Sequence, residues 1–135
     1  MKKSVDYLGS NIGTTIAGIT STLGSARSLL YYPHAIDVTE SGTMFILDTY
    51  NFRVLKWQAG EPMGFIVAGG NGNGNGGGGL NQIGYSYALF VDQQQNIFIS
   101  DNNNHRIVRW SSSNTTSGLL VKFFFFLQIF YYYFL

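Results

Sequence analysis

The chain has no cysteine, two prolines, two histidines and only 11% charged residues. Without cysteine there is no disulfide, no thiolate metal site and no cysteine nucleophile, while the redox compartment stays open. Charge is sparse as well as balanced: the formal net charge is +1. No long-range field steers such a chain to nucleic acid or to an anionic membrane, so neither is an expected partner. The basic residues are dispersed apart from Lys2 and Lys3. Met1-Lys2-Lys3 begins like a secretory signal, but Ser4 to Thr15 is polar and glycine-bearing where the apolar core of a signal belongs. No signal peptide is expected, and no compartment is assigned. Asn114-Thr115-Thr116 is a glycosylation sequon that matters only in a secreted protein.

What is present is apolar and glycine-rich. Hydrophobic residues make up 45% and aromatics 16%, which is too apolar for disorder. Seventeen glycines suit many tight turns between short strands, and 135 residues suit one domain.

The informative feature is an internal repeat. Leu30–Trp57 lies over Ile83–Trp110 without a gap, at a constant offset of 53. Tyr32, Ala35, Val38, Phe45, Ile46, Asp48, Asn51, Arg53 and Trp57 meet identical residues at Tyr85, Ala88, Val91, Phe98, Ile99, Asp101, Asn104, Arg106 and Trp110. Most other pairs are conservative, such as Met44 with Ile97 and Lys56 with Arg109. A fixed period identifies repeat architecture before any local assignment is made.

Each unit reads as strands. Ala35–Val38 is followed by a turn at Glu40-Ser41-Gly42 and then by Thr43–Leu47. A polar turn at Asp48–Asn51 leads into Arg53–Trp57, and Gly64–Gly69 supplies a fourth strand. The second unit predicts strands at Ala88–Val91, Asn96–Ser100, Arg106–Trp110 and Gly118–Val121. Thr14–Gly18 is similar to Phe65–Gly69 and is expected to be the last strand of a preceding blade. Four short antiparallel strands per repeat describe one blade of a β-propeller, so the expected class is all-β, with two four-stranded blades, an incomplete ring and an orphan strand before them.

Tyr32-Pro33-His34-Ala35-Ile36-Asp37-Val38, then Gly42–Asp48, then Asn51-Phe52-Arg53-Val54 resemble an NHL repeat. Asn96–Asp101 and Asn104-His105-Arg106-Ile107 form a second copy, closer to the Asn-His signature that named the family. The resemblance covers residues 13–121. It implies a ring that is usually six-bladed. It also implies a role as protein-binding scaffold, RNA-binding domain, extracellular sensor or, occasionally, lyase, so the fold alone narrows function poorly.

The candidate residues follow from the repeat and the resemblance. Asp48, Asn51 and Arg53, with Asp101, Asn104 and Arg106, recur as a polar constellation. Their expected work is structural: Asp and Asn satisfy turn backbone and Arg spans neighbouring strands. His34 stands at the start of the first, axis-lining strand, and Tyr87 is its equivalent in the second unit; these two are the candidate binding residues. The resemblance to peptide-amidating lyases implies a zinc-binding histidine at the His34 position. Three such ligands would be needed, Tyr87 stands where the second belongs, and His105 is on an outer turn. Neither a metal nor a cofactor is therefore expected, and the chain is not expected to be an enzyme. Gly69–Gly79 lacks the Lys-Ser/Thr and the helix of a phosphate loop and reads as a flexible connection. Lys56, Arg109, Arg53 and Arg106 make at most a modest basic stripe, short of an RNA surface. Trp57 and Trp110 are expected to pack between blades.

The expected organisation is a tail at 1–12, an orphan strand and linker at 13–29, blades at 30–68 and 83–121 around a Gly/Asn-rich linker at 69–82, and an aberrant aromatic tail at 122–135. That tail is too short for a membrane span and is broken by Gln128. Its residues can all use A/T-rich codons, and valine codons begin with GT as splice donors do, so it is expected to be translated intron. Blades bury their apolar faces against one another, and at least about three repeats are usual for stability. The expectations are therefore a fragment of a longer NHL-repeat protein that binds protein partners, or copies that associate to complete a ring, three two-blade chains giving six blades.

Overall fold

The structure, a computed structural model, describes residues 13–71 and 77–121. Within them β1 (Pro33–Val38), β2 (Met44–Asp48), β3 (Arg53–Trp57) and β4 (Phe65–Gly69) form one antiparallel sheet in chain order. β5 (Ser86–Val91), β6 (Ile97–Asp101), β7 (Arg106–Ser111) and β8 (Asn114–Leu120) form a second sheet of the same order. The only other regular elements among the described residues are two single 3-10 turns, Thr49–Asn51 and Asn102–Asn104.

The turns repeat along with the strands. Gly42 closes the β1–β2 hairpin with φ +82, where a side chain is rarely tolerated. Its counterpart in the β5–β6 hairpin is Gln95, which holds φ 61 without being glycine. Gln95 gains a contact that glycine could not make, because its Oε1 accepts from Lys56 Nζ of the first sheet at 2.8 Å. After each 3-10 turn a left-handed residue, Phe52 (φ 53) or His105 (φ 52), turns the chain into the next strand. This brings Asp48 opposite Arg53 and Asp101 opposite Arg106 in the ladder.

Strand alternation gives each sheet two apolar faces. Phe45, Leu47 and Val54 point from the first sheet to Ile97, Ile99, Val108 and Trp110 of the second, so the sheets pack face to face around one core. Met44, Ile46, Leu55 and Trp57 lie on the opposite face of the first sheet, with Ala17 and Leu30 packed over them. Trp110 is therefore between the sheets as expected of it, whereas Trp57 is under the 17–30 segment. Gly64 and Gly118 share one role, since a Cβ on either would meet the neighbouring indole, at 2.9 Å from Trp57 Cε3 and 2.8 Å from Trp110 Cε3. The chain can cross the tryptophan only where no side chain intervenes.

Three expectations need correction. Thr14–Gly18 forms no strand: the segment is irregular, with isolated bridges pairing Ile19 with Thr22 and Leu23 with Leu30. An outer strand needs a neighbour to pair with, and among the described residues no strand lies beside it. Ala17 nevertheless sits on the first sheet much as Ala68 sits in the core between the sheets. β8 begins at Asn114 rather than Gly118, because Ser112-Ser113 is a tight turn in place of the longer connection from Gln58 to Gly64. The glycine-rich connection is pinned at both ends. Asn71 Nδ2 donates to Asn81 O at 3.0 Å, and Gln82 Nε2 donates to Asn71 O at 3.1 Å. Residues 72–76 and the aromatic tail at 122–135 lie outside the described residues, as does the tail at 1–12.

The short Ser112-Ser113 turn has an energetic consequence. Trp57 Nε1 donates to Glu61 O at 2.9 Å within the longer connection. Trp110 Nε1 is buried with no hydrogen-bond partner among the described residues. An unsatisfied buried donor costs about 1–3 kcal/mol, whereas a made hydrogen bond contributes about 1 kcal/mol. Trp110→Phe is therefore expected to lower the unfolding free energy by at least about 1 kcal/mol less than Trp57→Phe does, read from urea denaturation. Equal losses, or a larger loss at Trp110, would show that Trp110 Nε1 is satisfied in solution.

Candidate functional site

The repeated polar residues converge on the loop that precedes each sheet. Arg53 Nε donates to Asp48 Oδ2 at 2.8 Å, so the ladder partners form an ion pair. The rest of the guanidinium reaches the loop before β1: Nη1 donates to Ser25 O at 2.6 Å, and Nη2 donates to Ala26 O at 2.9 Å and Leu29 O at 3.1 Å. Asn51 Nδ2 donates to Gly24 O and to Asp48 Oδ2, both at 2.8 Å. Asp48 Oδ1 accepts the Tyr31 amide at 2.7 Å.

The second unit repeats this pattern. Arg106 Nε donates to Asp101 Oδ2 at 2.8 Å, and its other nitrogens donate to Gly78 O, Gly79 O and Gln82 O at 2.6, 2.8 and 2.9 Å. Asn104 Nδ2 bridges Asp101 and Gly77 O, and Asp101 Oδ1 accepts the Gly84 amide at 3.0 Å. Arg thus reaches back into the preceding loop rather than only across neighbouring strands, as the sequence suggested. The glycines at 77–79, expected to be slack, are held by it.

Both carboxylates are fully buried, with side-chain exposures of 5% for Arg53 and 12% for Arg106. Burying such a pair is costly, and the loop carbonyls offset the cost by occupying the remaining donors. These arginines are therefore engaged internally, as is Lys56 through Gln95. They do not form a free basic stripe with Arg109.

His34 and Tyr87 come together. β1 and β5 are the edge strands that run side by side, and the His34 ring meets the Tyr87 ring edge-on with centroids 4.8 Å apart. His34 Nδ1 lies 2.9 Å from Tyr32 O, which orients the imidazole. Tyr50 extends the patch: its ring centroid is 6.4 Å from His34, 4.8 Å from Tyr32 and 5.1 Å from Tyr85. Tyr31 lies 5.2 Å from Tyr50. Tyr32, Tyr50 and Tyr87 are 61%, 38% and 48% exposed, and His34 is exposed too. No charged side chain takes part in these ring contacts. The result is a contiguous aromatic surface with hydroxyl groups and one imidazole. The sequence reading named two of its members and missed Tyr31, Tyr32, Tyr50 and Tyr85, although Tyr32 and Tyr85 are an identical repeat pair.

His105 follows the Asn102–Asn104 turn at the position of Phe52. Among the described residues no group of three or more His, Asp or Glu side chains is placed to hold a metal ion. The chain matches no protein-family model and no curated protein.

Lysine in place of arginine keeps the charge but cannot reach a carboxylate and three carbonyls together. Arg106→Lys is expected to lower the unfolding free energy by about 2 kcal/mol and to speed amide exchange in residues 77–84. Unchanged stability and unchanged exchange there would remove the clamp from the account.

Proposed function

We propose that each four-stranded sheet is one blade of an NHL-type β-propeller and that the chain is a non-catalytic scaffold. Its aromatic surface around His34 and Tyr87 is the contact site for a protein partner. The observation that carries this reading is the contact of His34 with Tyr87. Equivalent positions of two repeats meet at adjoining edge strands, and they do so inside an exposed aromatic cluster. Tyrosine gives large contact area at low conformational entropy cost and offers a hydroxyl to a peptide backbone, so exposed tyrosine clusters suit protein recognition.

The same geometry weighs against the two rival readings. A zinc lyase of the NHL type needs several imidazoles at the His34 position, and Tyr87 stands at the equivalent one. RNA binding would draw on arginines that are here spent on loop carbonyls.

The test is selection from a phage-displayed random peptide library on the immobilised full chain. Enriched peptides are expected to bind Tyr32→Ala and Tyr87→Ala at least about tenfold more weakly, with Ser113→Ala unaffected. No enrichment, or peptides indifferent to both tyrosines, would contradict this reading.

A further inference from the structure

The contact between the two sheets is also a template for what the outer surfaces can accept. One side of the joint is the face of the first sheet that carries Ala35, Phe45 and Val54. The other side carries Leu89 and Val91, half-buried against the core, together with buried Ile83. Because the units repeat, each side has a second copy elsewhere in the molecule: the counterpart of the first is open, and the counterpart of the second is open at Ile36 and Val38, beside Met44, Ile46, Leu55 and Trp57, over which Ala17 and Leu30 are packed.

Exposure makes this plain. Phe45 and Val54 are 2% and 0% exposed, whereas Ile107, the counterpart of Val54, is 40% exposed. Phe98, the counterpart of Phe45, is half-buried beside Phe90, which is 60% exposed, with ring centroids 6.1 Å apart. On the other side, Ile36 and Val38 correspond to half-buried Leu89 and Val91, yet they are 54% and 52% exposed.

The grooves at the two ends match the joint in the same way. Thr49 Oγ1 donates to Ser86 O at 2.8 Å, and the Phe52 ring lies 4.9 Å from Tyr85. A groove lined by Leu30, Tyr32 and Pro33 repeats the receiving half of that contact. A second groove, lined by Asn102, His105 and Ile107, repeats the inserting half. Asn102 retains a donor in place of Thr49, and His105 retains an aromatic ring in place of Phe52.

We propose that the open face of the second sheet docks on the first sheet of a second copy of this chain, head to tail. Phe90, Phe98 and Ile107 of one copy meet Ile36 and Val38 of the next, with His105 against Tyr32. The loop at 24–30 has a counterpart at 77–83 that coexists with the internal joint, but Ala17 holds the place that Ala68 holds there, so the incoming β8 displaces the unpaired segment at 13–18 as it docks. The formal net charge of +1 offers no repulsion to overcome. The contact is weaker than the internal one. Asp37, whose Oδ2 accepts the Val91 amide at 2.8 Å, is replaced by Phe90, and Gln95, the acceptor for Lys56, by Gly42. This joint rests on the equivalence of the two units, and of the aromatic surface it uses only Tyr32.

A head-to-tail contact uses two different surfaces, so spoiling either one leaves the other usable. The full chain is expected to associate in sedimentation velocity as its concentration rises to about 100 µM, which is weak for a specific contact. Ile107→Glu and Val38→Glu, each at an exposed site, are expected to keep the circular dichroism of the parent and to sediment as monomers. Mixed at equal amounts, they are expected to form a 1:1 dimer that grows no further, joined through the intact Ile107 surface of one and the intact Val38 surface of the other. A parent chain that stays monomeric at about 100 µM overturns the proposal. So do single variants that still associate like the parent, which would place the contact elsewhere, and so does a mixture that stays monomeric.

Discussion

Two buried carboxylates, Asp48 and Asp101, organise everything around them. Each pairs with an arginine across a hairpin, accepts the amide two residues before the first strand of its unit, and meets an asparagine from the 3-10 turn. The arginine, oriented by this pair, gathers three backbone carbonyls of the preceding loop. The clamp therefore ties three separate stretches of chain to one charge: the incoming loop, the β2–β3 or β6–β7 hairpin, and the start of the edge strand. Because buried charges are tolerated only when fully satisfied, the arrangement has little freedom to relax. The edge strands, and with them His34 and Tyr87, inherit their positions from it.

That hierarchy explains which parts of the fold the sequence discloses. The repeat at an offset of 53 was legible because Asp, Asn and Arg must recur for the clamp to recur, and because core positions such as Trp57 and Trp110 keep their side chains. Strand order and the turns at 40–42 and 48–51 followed directly, whereas the Ser112-Ser113 turn did not. The loops at 24–29 and 77–82 were not legible, although they adopt matching roles. The arginine reads only their carbonyls, so Ser25, Ala26 and Leu29 can face Gly78, Gly79 and Gln82 without any sequence likeness. The aromatic surface was half legible, because Tyr50 reaches it from a turn and Tyr32 from a strand start, and no local pattern relates them. The Thr14–Gly18 expectation failed for a different reason, since a likeness to a strand does not make one where no partner strand lies among the described residues.

The sheets share a core yet repeat both its sides elsewhere, one open and one open at Ile36 and Val38, and this shapes the functional account. An aromatic surface of adjoining edge strands suits recognition of a partner, while the outer faces suit stacking of like on like. The two uses share Tyr32 and otherwise draw on different residues. Substitutions that alter one can leave the other intact.

The claim on which this account depends is that buried carboxylates hold the loop amides of Tyr31 and Gly84. Native-state amide hydrogen exchange measures it most directly. The account predicts that these two amides, though outside the strands, are protected as strongly as amides in the centres of β2 and β6. Exchange at the rate of an exposed loop, at either residue, would contradict it.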